Sequence, residues 1–297
     1  MGLASLRKKR KILGCIFLLP TFVVLGFFTF YPLIRSCVMS FTNWSGINSD
    51  FSFIGFRNYE KLFTQTPEYW NAIVVNLKFA VTSTLLQTVL GFALAFFVYS
   101  MSVKLQKFFK VALFIPVILP AAVVGVMWTF IYTPDYGLIN QFLRAVHLGN
   151  LTHAWLGEYG TVMPSVIFTN TWRYIGLTMV LYLIAFNNIS ADILEAATVD
   201  GAGKFRQLVS IMFPLTTGTT EINVILSITG GMKAFDLFYL MTGGGPGTAT
   251  QVVSMLIYRT AFQAFKYSRA LSMAVVLFII ITIFTLICMK PFHAHDE

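Results

Sequence analysis

Charge is scarce in this chain: Asp, Glu, Lys and Arg make up 11% of its 297 residues. A soluble domain carries about 25%, so a water-exposed globular fold is excluded. Cysteine is scarce as well. Cys15, Cys37 and Cys288 form no close pair and no CxxC spacing, so neither a metal site nor a disulfide framework is expected. The histidines, His147, His153, His293 and His295, fall in loops or the tail. The apolar runs hold no HExxH and no acid–histidine cluster, which weighs against the rival reading as a membrane-embedded enzyme. A nucleotide loop is missing too. "GGGPGTAT" places Thr248 after Gly247, where a phosphate-binding loop needs lysine. The chain is therefore expected to have no catalytic residue, no metal and no cofactor of its own.

Hydrophobic side chains are abundant, at 57%. Several apolar runs exceed the roughly 20 residues that cross a bilayer. Six spans are predicted: Ile12–Met39, Asn71–Tyr99, Phe108–Tyr132, Thr161–Asn187, Thr217–Leu240 and Arg269–Met289. The fold expected is all-α and integral to the membrane. The first span reads as an uncleaved anchor, because the basic run Arg7–Lys11 abuts "ILGC" with no signal-peptide core between them.

The net charge of +9 follows from topology and does not call for nucleic acid. Basic residues gather on the cytoplasmic side of spans. Arg7–Lys11, Lys104, Lys107, Lys110, Lys204, Arg206 and Lys290 form the dense set, which puts both termini in the cytoplasm. The layout expected is a basic N-terminus over 1–11, an anchor over 12–39 and an extracytoplasmic loop over 40–70. A core of five helices over 71–290, including a cytoplasmic loop over 190–215, and a tail over 291–297 complete it. Pro20, Pro32, Pro116, Pro120 and Pro164 interrupt spans, and each removes an amide donor and favours a kink.

One cytoplasmic stretch stands apart: "EAATVDGAGKFRQLVSIMFPL", Glu195 to Leu215. Asp192 and Glu195 suggest a variant of the capping box, and Asp200-Gly201-Ala202-Gly203 breaks the helix. Phe205, Leu208 or Val209, and Met212 then share one face of a second helix, which Pro214 ends. Periodicity leaves two readings open: a docking knuckle for a partner, or an amphipathic loop resting on lipid headgroups.

The spacing E-A-A, three residues, G, nine residues, I, one residue, a large apolar residue, P falls on Glu195, Ala196, Ala197, Gly201, Ile211, Phe213 and Pro214. This resembles the EAA loop of binding-protein-dependent ABC importer permeases, which are MetI-like six-helix bundles. Phe213 stands where that family usually has Leu. The resemblance implies that Glu195, Ala196, Ala197, Asp200, Gly201, Ile211 and Pro214 couple the spans to an ATP-hydrolysing subunit. The stretches Phe30–Trp44, Phe53–Phe63 and Phe235–Phe262 are similar to sugar-type permeases of the maltose and glycerol-phosphate group. By that likeness, Gly243, Gly244, Gly245 and Pro246 shape an extracytoplasmic turn facing a solute-binding protein. The partners implied are a second permease subunit, two ATP-binding subunits that hold ATP and Mg, the binding protein, a sugar and membrane lipid.

Ionisable groups inside spans are costly and mark candidate sites; here they are Lys78, Arg173, Glu221, Lys233 and Asp236. Lys233 and Asp236, three apart on one predicted helix, are expected to pair. "NTWRYIG" supplies the aromatic and planar groups that suit a sugar, so Asn170, Trp172, Arg173 and Asn223 are the predicted pathway residues. Three roles stay open for Arg173: bidentate contact with an anionic substrate, capping of broken backbone, or pairing with an acid on the partner subunit. The rival function is an ion-coupled secondary carrier of a small polar solute, built on Arg173, Lys233 and Asp236.

Overall fold

The computed structural model of the chain describes Leu13, Cys15, residues 17–47 and residues 50–293. The basic run Arg7–Lys11, Ile12 and His295 lie outside the described residues. Contacts divide the chain into two compact units, Met1–Pro67 with Ile257–Val276, and Glu68–Leu256 with Leu277–Glu297.

The first unit contains helix α1 (Phe17–Met39), whose apolar side chains are exposed along its length. Its hydrogen-bond ladder widens to a π turn at Gly26–Phe30, just before Pro32. Proline has no N–H for the carbonyl four residues back, and the shifted register absorbs that loss without breaking the helix. A short helix, α2 (Arg57–Gln65), is fastened beside it by buried Asn58. The Asn58 amide donates to the Ser40 and Thr42 carbonyls, at 2.8 Å each. Thr42 also meets Ser268 at 2.9 Å, and Arg269 donates to the Thr66 hydroxyl at 2.7 Å.

The second unit is a helical bundle built on α3 (Pro67–Tyr99). At about 1.5 Å per residue, its 33 residues outrun the roughly 30 Å apolar core of a bilayer. Then come α4 (Val103–Ile118), α5 (Ala121–Ile131), α6 (Leu138–Ala145) and α7 (Tyr159–Asn187). The predicted third span, Phe108–Tyr132, is not one rod. It breaks at Leu119-Pro120, and α4 and α5 meet at 98°. Pro120 stands at the N-cap of α5, where its missing N–H costs nothing. Pro164, by contrast, sits inside the unbroken α7.

The chain continues through α8 (Ala191–Val199), α9 (Lys204–Leu215), α10 (Thr217–Met232), α11 (Asp236–Met241), α12 (Val253–Tyr258) and α13 (Tyr267–His293). The predicted fifth span, Thr217–Leu240, is likewise divided, with the break at residues 233–235. Among the described residues, three helices are long and apolar enough to cross a membrane, or up to six when each bent pair counts as one span.

Two apolar clusters hold the bundle. One surrounds Phe79, Trp128 and Phe238, with the Phe79 and Phe238 rings edge to face at 4.7 Å. The other surrounds Tyr182, Phe186 and Met212. Lipid offers no hydrophobic drive between helices, so close backbone approach takes over. Gly176 packs so tightly on the Leu113 carbonyl that a Cβ there would overlap it, and Gly91 packs on Thr178 in the same way.

Candidate functional site

The segment from Glu195 to Leu215, expected from the sequence to be cytoplasmic, folds as two helices joined by a sharp turn. α8 leaves α7 at 77°, and α9 meets α10 at 70°. Asp200 is the C-cap of α8, and Gly201 follows at φ +81°, a left-handed backbone that glycine adopts without steric cost. The Gln207 side-chain amide then donates to the Thr198 hydroxyl and to the Ala202 carbonyl, at 2.9 Å each. The first bond ties α9 to α8, and the second holds the turn between them.

The predicted capping box is absent from this helix start. Ser190 is the N-cap, with no side-chain bond to the backbone; its hydroxyl instead meets Asp192 at 3.4 Å. Asp192 lies in the first turn, where its charge still complements the helix N-terminus. Nor does Pro214 end the second helix. α9 runs on to Leu215 because a π turn at Leu208–Met212 shifts the ladder immediately before Phe213-Pro214, as in α1.

The knuckle is anchored on one side and open on the other. Leu194, Leu208 and buried Met212 pack into the cluster of Tyr182 and Phe186. Glu195, Ala196, Asp200, Gly201 and Pro214 are exposed, Ala197 and Ile211 half-buried. Val199 is 88% exposed and Phe205 76%, an apolar surface left without cover. Tyr99 and Phe109, at the α3–α4 junction, join the same cluster. Lys104, Lys107 and Lys110 are thereby near the end of the bundle that carries Lys204 and Arg206.

A cavity of about 380 Å³ opens among α3, α7, α10 and the start of α11. Asn170, Arg173, Tyr174 and Leu177 line it from α7, at the i, i+3, i+4, i+7 spacing of one helix face. Asn223 and Ser227 line it from α10 and Gln87 from α3. Trp172 does not. One residue off that face, its half-buried ring meets Trp128 at 5.4 Å and packs against the core cluster.

Asn223 is buried between three helices, donating to Thr88 at 2.8 Å and accepting from Thr178 at 2.9 Å. Ser227 donates to Gln87 at 2.9 Å. The Arg173 guanidinium donates to the Leu119 carbonyl at 3.0 Å, at the α4–α5 break, and lies 5.0 Å from the Tyr174 ring centre. Gln87, Tyr174 and Ser227 were not predicted. A polar residue within an apolar span, read together with the helix face of Asn170, would have found them.

Lys233 and Asp236 do not share a helix and are not within ion-pair distance of each other. Lys233 is the C-cap of α10, and Asp236 opens α11. Both line the cavity. The backbone at this break is satisfied from neighbouring helices. Asn76 donates to the Gly231 and Met232 carbonyls at 3.2 Å, and Ser254 donates to Ala234 at 2.9 Å.

The Gly243–Gly247 turn follows α11. Gly243, Gly244 and Gly247 all take positive φ, and Gly245 and Pro246 lie between them. Thr250 closes the turn by donating to Thr242 at 2.8 Å and to the Gly245 carbonyl at 2.7 Å.

Comparison with known proteins agrees with this architecture. Residues 87–291 match the family described as the binding-protein-dependent transport system inner membrane component. The chain is 36% identical to the probable ABC transporter permease YurN of Bacillus subtilis (strain 168), over 97% of this chain and 99% of that protein. It is 31% identical to AmyD of Thermoanaerobacterium thermosulfurigenes, a probable permease of a transport system for starch degradation products, covering 92% and 91%. A bacterial ABC transporter that imports the acidic polysaccharide alginate has the same fold, with a TM-score of 0.85 at 22% identity over the whole of both chains. With its apolar helices and helix–turn–helix knuckle, the chain is a multi-pass membrane protein that belongs to the family of binding-protein-dependent transport system inner membrane components, the permease subunits of ABC importers.

Proposed function

We propose that this permease carries a sugar, an oligosaccharide or a derivative of one, through the cavity lined by Asn170, Arg173 and Asn223, and that the knuckle from Glu195 to Pro214 couples it to ATP hydrolysis on partner subunits. The observation that carries the proposal is the knuckle's two-sided build. Leu194, Leu208 and Met212 fix it to the bundle, while Val199 and Phe205 stand exposed for a partner. A lever needs both properties, because a loose loop would absorb the motion of the motor.

The sugar assignment is supported by AmyD, whose system takes up starch degradation products, and by the cavity's amides and hydroxyls beside the Tyr174 ring. The complete importer has a second permease subunit, two subunits that bind ATP and Mg, and a solute-binding protein that meets the Gly243–Pro246 turn. The knuckle and the lysines near its end of the bundle face the cytoplasm, together with both termini.

The test is uptake by the assembled complex in vesicles supplied with ATP after the ion gradients are collapsed. Sugar uptake that persists, and that Glu195→Lys abolishes while ATP hydrolysis continues, is the expected result. Uptake that stops with the gradients, whatever the ATP supply, would favour the ion-coupled carrier and overturn the proposal.

A further inference from the structure

Three charged side chains border the cavity: Arg173 reaches from the middle of α7 to the end of α4, and Lys233 and Asp236 sit at the ends of α10 and α11. Arg173 donates to the carbonyl of Leu119, the C-cap of α4. Lys233 is the C-cap of α10, and Asp236 lies in the first turn of α11. A helix carries roughly half a positive charge at its N-terminus and half a negative charge at its C-terminus. Both cations therefore stand at C-terminal ends and the anion at an N-terminal one, each with the sign that the helix end favours. A chain that breaks two spans must settle those ends internally; Arg173 bonds the first, Asn76 and Ser254 bond the second, and Lys233 and Asp236 stand at the second by charge, without a side-chain hydrogen bond to it.

The guanidinium is held at one nitrogen by the Leu119 carbonyl and flanked by the Tyr174 ring, while its buried Nε has no hydrogen-bond partner among the described residues. The remaining polar lining consists of the amides of Gln87, Asn170 and Asn223 and the hydroxyls of Tyr174, Thr178 and Ser227. Such groups match sugar hydroxyls, which both donate and accept.

We propose that the cavity selects an uncharged sugar, and that Arg173, Lys233 and Asp236 are positioning residues that stabilise the two helix breaks. This rests on the reading that the chain carries a sugar, and it names the charge class of that sugar. Counting formal charge alone, Arg173 and Lys233 against Asp236, would point the other way, to an anionic sugar. The helix ends decide between the two.

The experiment measures direct binding to the purified permease–ATPase complex in lipid nanodiscs, without binding protein, so that this cavity's own preference is read. The probes are maltotriose, cellotriose and mannotriose, each against its counterpart with C6 oxidised to a carboxylate. In any pair that binds, the neutral member is expected to be at least tenfold tighter. Equal or tighter binding of the carboxylate member overturns the proposal. Lys233→Gln and Asp236→Asn are expected to lower the melting temperature of the complex while leaving the neutral-to-acidic ratio within about twofold. A tenfold swing of that ratio in either variant would show the charge reading the substrate, and would also overturn it. If no sugar of either kind binds while a non-sugar solute stimulates ATP hydrolysis, the sugar reading itself is what fails.

Discussion

Replacing Gly201 with valine tests the stiffness of the knuckle without touching its packing. Gly201 has φ +81°, and a Cβ built there meets nothing within 4 Å. Any effect must therefore come from the backbone and not from a clash. A left-handed conformation costs an L-residue about 1–2 kcal/mol, and a β-branched side chain is a worse case still. That strain lowers the free energy of opening the turn by the same amount, a change of about 5–30-fold in the open population. Two residues on, Gly203 serves as the control. It also has open space around its Cβ, but its backbone is extended at φ −65° and ψ 163°, so alanine fits there unstrained.

Hydrogen exchange in the reconstituted complex reads this directly. The amide of Ala202, bonded to the Ala197 carbonyl at 2.8 Å, is expected to exchange about 5–30 times faster in Gly201→Val. In Gly203→Ala it should be unchanged or slower. ATP hydrolysed per sugar transported should rise in the first variant alone. Equal exchange in both variants would refute the argument that the left-handed residue sets the stiffness. Faster exchange with unchanged coupling would refute the lever.

Gln207→Ala removes both of its side-chain bonds at the turn, each worth about 0.5–1.5 kcal/mol; the same amide should exchange faster and coupling should loosen. Gly176→Ala forces a Cβ onto the Leu113 carbonyl, so a loss of about 1–3 kcal/mol should appear as a lower melting temperature, whereas Gly218→Ala, with open space, should show none. Arg173→Met leaves the Leu119 carbonyl at the α4–α5 break unpaired, at a cost of about 1–3 kcal/mol, again read by melting. Glu158, which accepts from the Ala154 amide at 2.8 Å and meets His153 at 2.9 Å, has its pKa lowered by that amide first and by His153 second. Its folded value is below its unfolded one, so its contribution is complete above the ordinary carboxylate pKa and is lost as pH falls through the folded value. Exchange in the 153–158 loop, corrected for intrinsic rate, should accelerate on acidification, and Glu158→Gln should abolish that dependence.

The spans were legible because their signal is length and composition, which no tertiary contact can override in a bilayer. The knuckle was legible because a glycine at positive φ, a run of small residues and a proline occur at fixed spacing. The breaks were legible unevenly. Pro120 announces the first, but nothing at Lys233-Ala234-Phe235 forbids a helix. That break is made by Asn76, which takes the Gly231 and Met232 carbonyls from another helix 155 and 156 residues away in sequence. The pairing of Lys233 with Asp236 failed for the same reason: it assumed a continuous helix. Trp172 was chosen by residue type, and the helix face that carries Asn170 and Arg173 to the cavity leaves it one residue to the side.

α7 joins the two halves of the candidate site. Its 29 residues carry Arg173 and Tyr174 at the cavity and Leu183 and Phe186 at the base of the knuckle. Pro164 lies N-terminal to both, and the helix is unbroken from Arg173 to Phe186. Along that stretch Gly176 is pressed on the α4 backbone and Thr178 bonds Asn223 on α10. In the function proposed above, a displacement that passes the bend between α8 and α7 is carried along one stiff helix, and Arg173 links that helix to the break at Leu119. On that proposal Arg173 would join the movement of α7 to the bend between α4 and α5 that borders the cavity, through its bond to the Leu119 carbonyl.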